Sequence, residues 1–105
     1  MKVYVLAMYG DGYCEDIKVF KSREEAQYNA MKEVVSHWGE DLETFHGVPV
    51  EELRKFCLKW FDGDAYLFRF TDSFEEFVNK WSEEWYEVGN CGIENSWWQL
   101  KEFDI

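Results

Sequence analysis

Long apolar runs are missing from this 105-residue chain. A helix that crosses a membrane needs roughly 18 or more apolar residues in a row, and no segment comes near that. The apolar run at residues 3–9 is short and passes straight into Gly10-Asp11-Gly12. It predicts a strand, not a signal peptide, whose apolar region is longer and ends at a small-residue cleavage site. A soluble cytoplasmic protein is therefore expected.

Cysteine, histidine and proline are also scarce. The three cysteines (Cys14, Cys57 and Cys91) are odd in number and form no Cys-x-x-Cys pair, which argues against a disulfide framework and a zinc knuckle. Cys14 and Cys91 both fall in predicted turns, so a bridge between them is conceivable only in an oxidising setting. The two histidines, His37 and His46, lack the one-turn spacing of a helical zinc site, and no cofactor or metal is expected. Basic residues are few: 11 against 22 acids, a net charge of −11. Such a chain avoids free nucleic acid and anionic membranes and is drawn to basic protein surfaces.

What the chain does have is apolar and aromatic content, 47% and 20% of residues. That sets it apart from disordered acidic sequences and predicts one globular domain over residues 1–105. Residues 2–9 carry apolar side chains on both alternating faces, as a central strand does. After the Gly10-Asp11-Gly12 turn, residues 16–20 form a second strand, antiparallel to the first. Ser22-Arg23-Glu24-Glu25 has the form of a capping box. The helix it opens has an apolar stripe at Ala26, Ala30, Met31, Val34, Val35 and Trp38, and Gly39 is expected to end it. Residues 39–49, with Glu40, Asp41, Glu43 and His46, are expected to be an irregular loop, and loops of that length are often functional. Pro49 then starts a second helix with Val50, Leu53, Phe56, Cys57, Trp60 and Phe61 on one face. Residues 65–70 form a third strand. A third helix follows, with Phe74, Phe77, Val78, Trp81 and Trp85 inward and Glu75, Glu76, Glu83, Glu84 and Glu87 outward. Residues 96–103 close the sheet. The order is β-β-α-α-β-α-β, an α+β domain with three helices packed on a small antiparallel or mixed sheet.

Catalytic signatures are absent. There is no Gly-x-Ser-x-Gly and no phosphate-cradling glycine loop, because Gly10-Asp11-Gly12 leads into a strand. Cys57 sits on an apolar helical stripe, and Cys14 and Cys91 have no neighbouring activator in sequence. No enzyme activity is expected. Direct nucleic-acid binding would need cations beside the aromatics, yet residues 61–105 hold 11 acids and only three bases, a net of −8.

That imbalance points to acidic display. Glu76, Glu83, Glu84 and Glu87 on the third helix, with Asp62, Asp64 and Asp72 in nearby turns, can present carboxylates to a basic groove. The competing explanation is that glutamates on an outer helical face simply keep a protein soluble. Trp97 and Trp98 are adjacent on a strand, so their rings point to opposite faces. One of them, or Trp38 at the helix end, is expected to be exposed as an anchor for a partner.

The opening KVYVL…DGY…DIKVFKSREEAQ resembles the strand–turn–strand–capped-helix start of many small bacterial and phage proteins. The whole chain, short, acidic and aromatic-rich, resembles phage anti-defence proteins such as anti-CRISPRs. Several of these block the nucleic-acid channel of their target by acidic mimicry. The likeness is one of type and assigns no residue roles. It implies an inhibitor in the host-cell cytoplasm that covers the basic, nucleic-acid-binding surface of a host protein. The alternative expectations are a small-molecule-binding domain with an aromatic pocket, or a small cysteine or carboxylate enzyme.

Overall fold

In the computed structural model, the described residues are 1–10, 13–62, 67–68, 72–81 and 96–105. They form β1 (Lys2–Gly10), β2 (Tyr13–Phe20), α1 (Arg23–His46), α2 (Val50–Asp62), β3 (Leu67–Phe68), α3 (Asp72–Val78) and β4 (Ser96–Asp104). The order β-β-α-α-β-α-β is that expected from the sequence. The sheet runs β2-β1-β4-β3 with every neighbouring pair antiparallel.

β1 is central, as its two-faced apolar pattern implies. Its pairing with β4 sets Leu6 opposite Leu100 and Met8 opposite Trp98. These four side chains share one face by alternation and are all buried. Ala26, Ala30, Met31, Val34 and Trp38 of α1, Leu53, Cys57 and Phe61 of α2, and Phe74, Phe77 and Val78 of α3 complete the core on that face. On the other face, Ile17, Val19 and Phe103 are exposed. β2 is an edge strand. The Asp16 carboxylate accepts from the Ile17 backbone N–H at 2.9 Å, and the register shifts beside Met8 and Tyr9. A carboxylate and an irregularity of this kind blunt an edge against pairing with other chains.

Ser22 caps α1 as expected, accepting from the Glu25 N–H at 3.3 Å. The reciprocal contact differs: the Ser22 hydroxyl donates to Glu24 at 3.0 Å. That bond, with one from the Glu24 backbone N–H as the largest cause, holds the Glu24 carboxyl below its ordinary pKa.

The largest departure from the sequence reading is the length of α1. The expected loop at residues 39–49 is helix as far as His46. Gly39 is buried inside the helix, beside Leu53 of α2. A Cβ there would lie 3.9 Å from Leu53 Cδ2 and 3.3 Å from Val35 Cγ1. A Cβ at Gly39 would only reach ordinary contact with α2, and the apolar stripe runs on through Leu42 and His46, both buried. The helix ends instead at Gly47, in the left-handed region at φ 67°. Its N–H donates to the Glu43 carbonyl at 3.2 Å, and the Val48 N–H donates to Leu42 at 3.1 Å. The Pro49 carbonyl then accepts from Glu52 and Leu53, each at 3.1 Å, to begin α2. α3 ends at Val78, followed by a turn through Trp81. Trp85, and the turns expected at residues 10–12, 62–64 and 89–92, lie wholly or partly outside the described residues.

Candidate functional site

The expected acidic face is only partly described. Asp62 is exposed at the end of α2, its carbonyl accepting from Arg23 at 3.2 Å and its carboxylate 3.5 Å from Gln27 Nε2. Glu76 is exposed on α3. Asp72 is the first residue of α3. Asp64, Glu83, Glu84 and Glu87 lie outside the described residues, as does Cys91.

The tryptophan expectations need correction. Trp38 is 1% exposed and Trp98 is 0% exposed. Their rings meet edge to face with centroids 5.1 Å apart. Neither can anchor a partner. Trp98 is inward because its register partner is Met8 on the core face of β1; Trp38 is inward because α1 continues past it. Trp97 is on the opposite face, half-buried and stacked on Tyr9 at 5.3 Å.

The clearest carboxylate display among the described residues is one the late-chain charge count missed. Glu40, Asp41 and Glu43 lie in the last two turns of α1, with Glu40 and Glu43 exposed and Asp41 half-buried. None has an ion pair or side-chain hydrogen bond among the described residues. This contrasts with Glu33, bonded to Lys18 at 2.7 Å, Glu51, paired with Arg54, and Glu102, 3.2 Å from Lys2. The Glu33 and Glu102 hydrogen bonds are the main reason the Lys18 and Lys2 pKa values rise above 10.5. Glu40 and Glu43 are neighbours at i, i+3, and Asp41 shares a flank with Phe45 at i, i+4. Phe45 is 62% exposed. Carbonyl groups at a helix C-terminus favour cations and disfavour acids in the last turn by about 0.3–1 kcal/mol each. Glu43 is in that turn, and its only basic residue, His46, is buried. The signal was in the sequence, as the run Glu40-Asp41-Leu42-Glu43-Thr44-Phe45, but Gly39 made it read as a loop.

Comparison with protein-family models, curated proteins and solved structures gives no match.

Among the described residues the candidate chemical residues do not converge. His37 and His46 are on one helix, nine residues apart, which is about 180° around the axis and ~14 Å along it. His37 Nδ1 lies 2.8 Å from the Glu33 carbonyl, and its ring meets Trp98 edge-on; His46 is buried. Cys57 is buried, which pushes its thiol well above the ordinary range. Cys14 is exposed, its Sγ 3.7 Å from the Asp16 carbonyl. Among the described residues no three metal-ligating side chains cluster, and no helix is long and apolar enough to cross a membrane.

Proposed function

We propose that this protein is a non-enzymatic acidic binding module that docks on a basic, nucleic-acid-binding surface of a target protein and blocks it. The observation that carries this is the end of α1, where Glu40 and Glu43 on one side of the helix and Asp41 beside the exposed Phe45 on another have no cation partners among the described residues. The carboxylates supply attraction to lysines and arginines. Phe45 supplies an apolar anchor whose burial against a partner is worth about 1.5–3 kcal/mol. The net charge of −11 extends that attraction beyond contact distance. Asp62 and Glu76, and the glutamates at 83, 84 and 87, add to the same negative field.

A role as a phage anti-defence inhibitor fits this chemistry, since a defence nuclease that grips nucleic acid offers the required basic channel. The resemblance in size, charge and aromatic content supports it.

Affinity capture from a host-cell lysate, at low and high salt, tests the reading. The expected result is capture of nucleic-acid-binding proteins that are released by added salt and by a competing duplex oligonucleotide. Capture indifferent to both would contradict it.

A further inference from the structure

A groove of about 430 Å³ lies between α2 and the turn after α3, lined among the described residues by Phe56, Lys59, Trp60 and Lys80. We infer that it is a binding site for a small planar ring bearing a phosphate or carboxylate, with the ring on Trp60 and Phe56 and the anion between Lys59 and Lys80.

The volume falls within the range of small-molecule sites, roughly 300–1,000 Å³. Phe56, Lys59 and Trp60 share one face of α2 by their i, i+3, i+4 spacing. Phe56 is held from behind: it stacks on Phe77 at 4.4 Å and meets Phe74 edge-on at 5.8 Å. Trp60 is half-buried and tilted at 32° to Phe56, with centroids 5.8 Å apart. That makes a packed apolar floor with one large ring partly open to solvent. The backbone of Lys80 is fixed by its bond to the Phe77 carbonyl at 3.3 Å, followed by the Trp81 to Val78 bond at 2.9 Å.

The lysines supply the charge. With twice as many acids as bases, a cation in this chain should readily find a carboxylate. Lys2, Lys18 and Lys55 do so. Lys32 and Lys101 lie over the rings of Tyr28 and Phe103. Lys21, Lys59 and Lys80 have neither kind of partner among the described residues, and of these Lys59 and Lys80 line the same groove. Their alkyl stems can extend the apolar wall while the ammonium groups stay available to an anion.

The position of the groove keeps it apart from the acidic end of α1. Gln27 donates to the Phe61 carbonyl at 3.1 Å, so the C-terminal end of α2 lies beside the start of α1. From Gln27 to Glu43 is ~24 Å along the helix, about three screening lengths at physiological ionic strength. The acidic end of α1 is therefore screened from the groove.

The test is NMR titration of the full chain, following the Trp60 indole N–H, which is assigned by its loss in Trp60→Phe. The probes are adenosine 5′-monophosphate and phenyl phosphate, each at up to millimolar concentration, with adenosine and inorganic phosphate as controls. A saturable shift is expected with at least one of the two ring phosphates, and binding at least tenfold weaker for each control. Response to both ring phosphates defines a general aryl-anion site; response to the nucleotide alone defines a nucleobase site. Lys59→Gln/Lys80→Gln should weaken binding at least tenfold with an unchanged circular dichroism spectrum. Lys80→Gln alone, outside any helix, should weaken it in the same direction if the double variant folds poorly. No saturable shift with either ring phosphate, equal binding of inorganic phosphate, or undiminished binding by the lysine variants would overturn the inference. Because the groove and the acidic end of α1 share no residue, neither result bears on the docking surface.

Discussion

Trp38 of α1 and Trp98 of β4 meet edge to face at 5.1 Å, and the contact ties the longest helix to the sheet at the centre of the core. Trp38 also meets Phe74 of α3 at 4.9 Å, so one ring system joins two helices and a strand. Trp98→Ala should cost about 3–5 kcal/mol, as removal of a fully buried aromatic does. Trp97→Ala removes a half-buried ring from the other face and its stack on Tyr9, and should cost about 1 kcal/mol. Urea denaturation of the two variants checks this. Equal losses would mean that the register of β4 on β1 is not the one described.

Gly39 and Gly47 should respond to alanine with opposite signs. Gly39→Ala adds a good helix former within α1, worth up to about 1 kcal/mol, and its new methyl asks Val35 to give by a few tenths of an ångström. A neutral or stabilising effect is expected. Gly47 has φ 67° and nothing within 4 Å of a new Cβ, so its penalty is conformational alone. Gly47→Ala should cost about 1–2 kcal/mol. Thermal melts of both variants decide where α1 ends; a large loss at position 39 and none at 47 would restore the loop that the sequence suggested.

Cys57 is 0% exposed in the core and its thiol is held protonated by burial, whereas Cys14 is exposed. Thiolate is the reactive form. In a Cys91→Ser background, a thiol reagent should therefore label Cys14 quickly and Cys57 only as fast as the core opens. Mass spectrometry over a labelling time course distinguishes the two. Equal rates would place Cys57 outside the core.

Much of the architecture was legible because its signals are local. Two-faced alternation marked β1 as central, and three- and four-residue spacing marked the inner faces of α1 and α2. The boundary of α1 failed because glycine ends many helices but is also tolerated inside one, and the left-handed end falls at Gly47 instead of Gly39. The continuing spacing of Trp38, Leu42 and His46 was the evidence for a longer helix. Alternation correctly separated the rings of Trp97 and Trp98, but which one enters the core depends on pairing Trp98 with Met8, a long-range fact. The same holds for the groove: Lys80 and Lys59 line one wall-and-floor space only because Phe77 of α3 stacks on Phe56 of α2. The acids at 40, 41 and 43 were visible as residues and hidden as a site by the misplaced helix end.

The most direct test of the docking proposal compares the wild-type chain with Glu40→Gln/Asp41→Asn/Glu43→Gln in salt-dependent capture of its partner. Removing an acid from the last turn of α1 should leave the melting temperature unchanged or slightly raised, so a loss of binding cannot be ascribed to misfolding. The expected result is at least a tenfold weaker association at low salt and a shallower salt dependence, with Phe45→Ala weakening binding at every salt concentration. Undiminished capture by the triple variant, with the salt dependence of the wild type, would contradict the assignment of the acidic end of α1 as the docking surface.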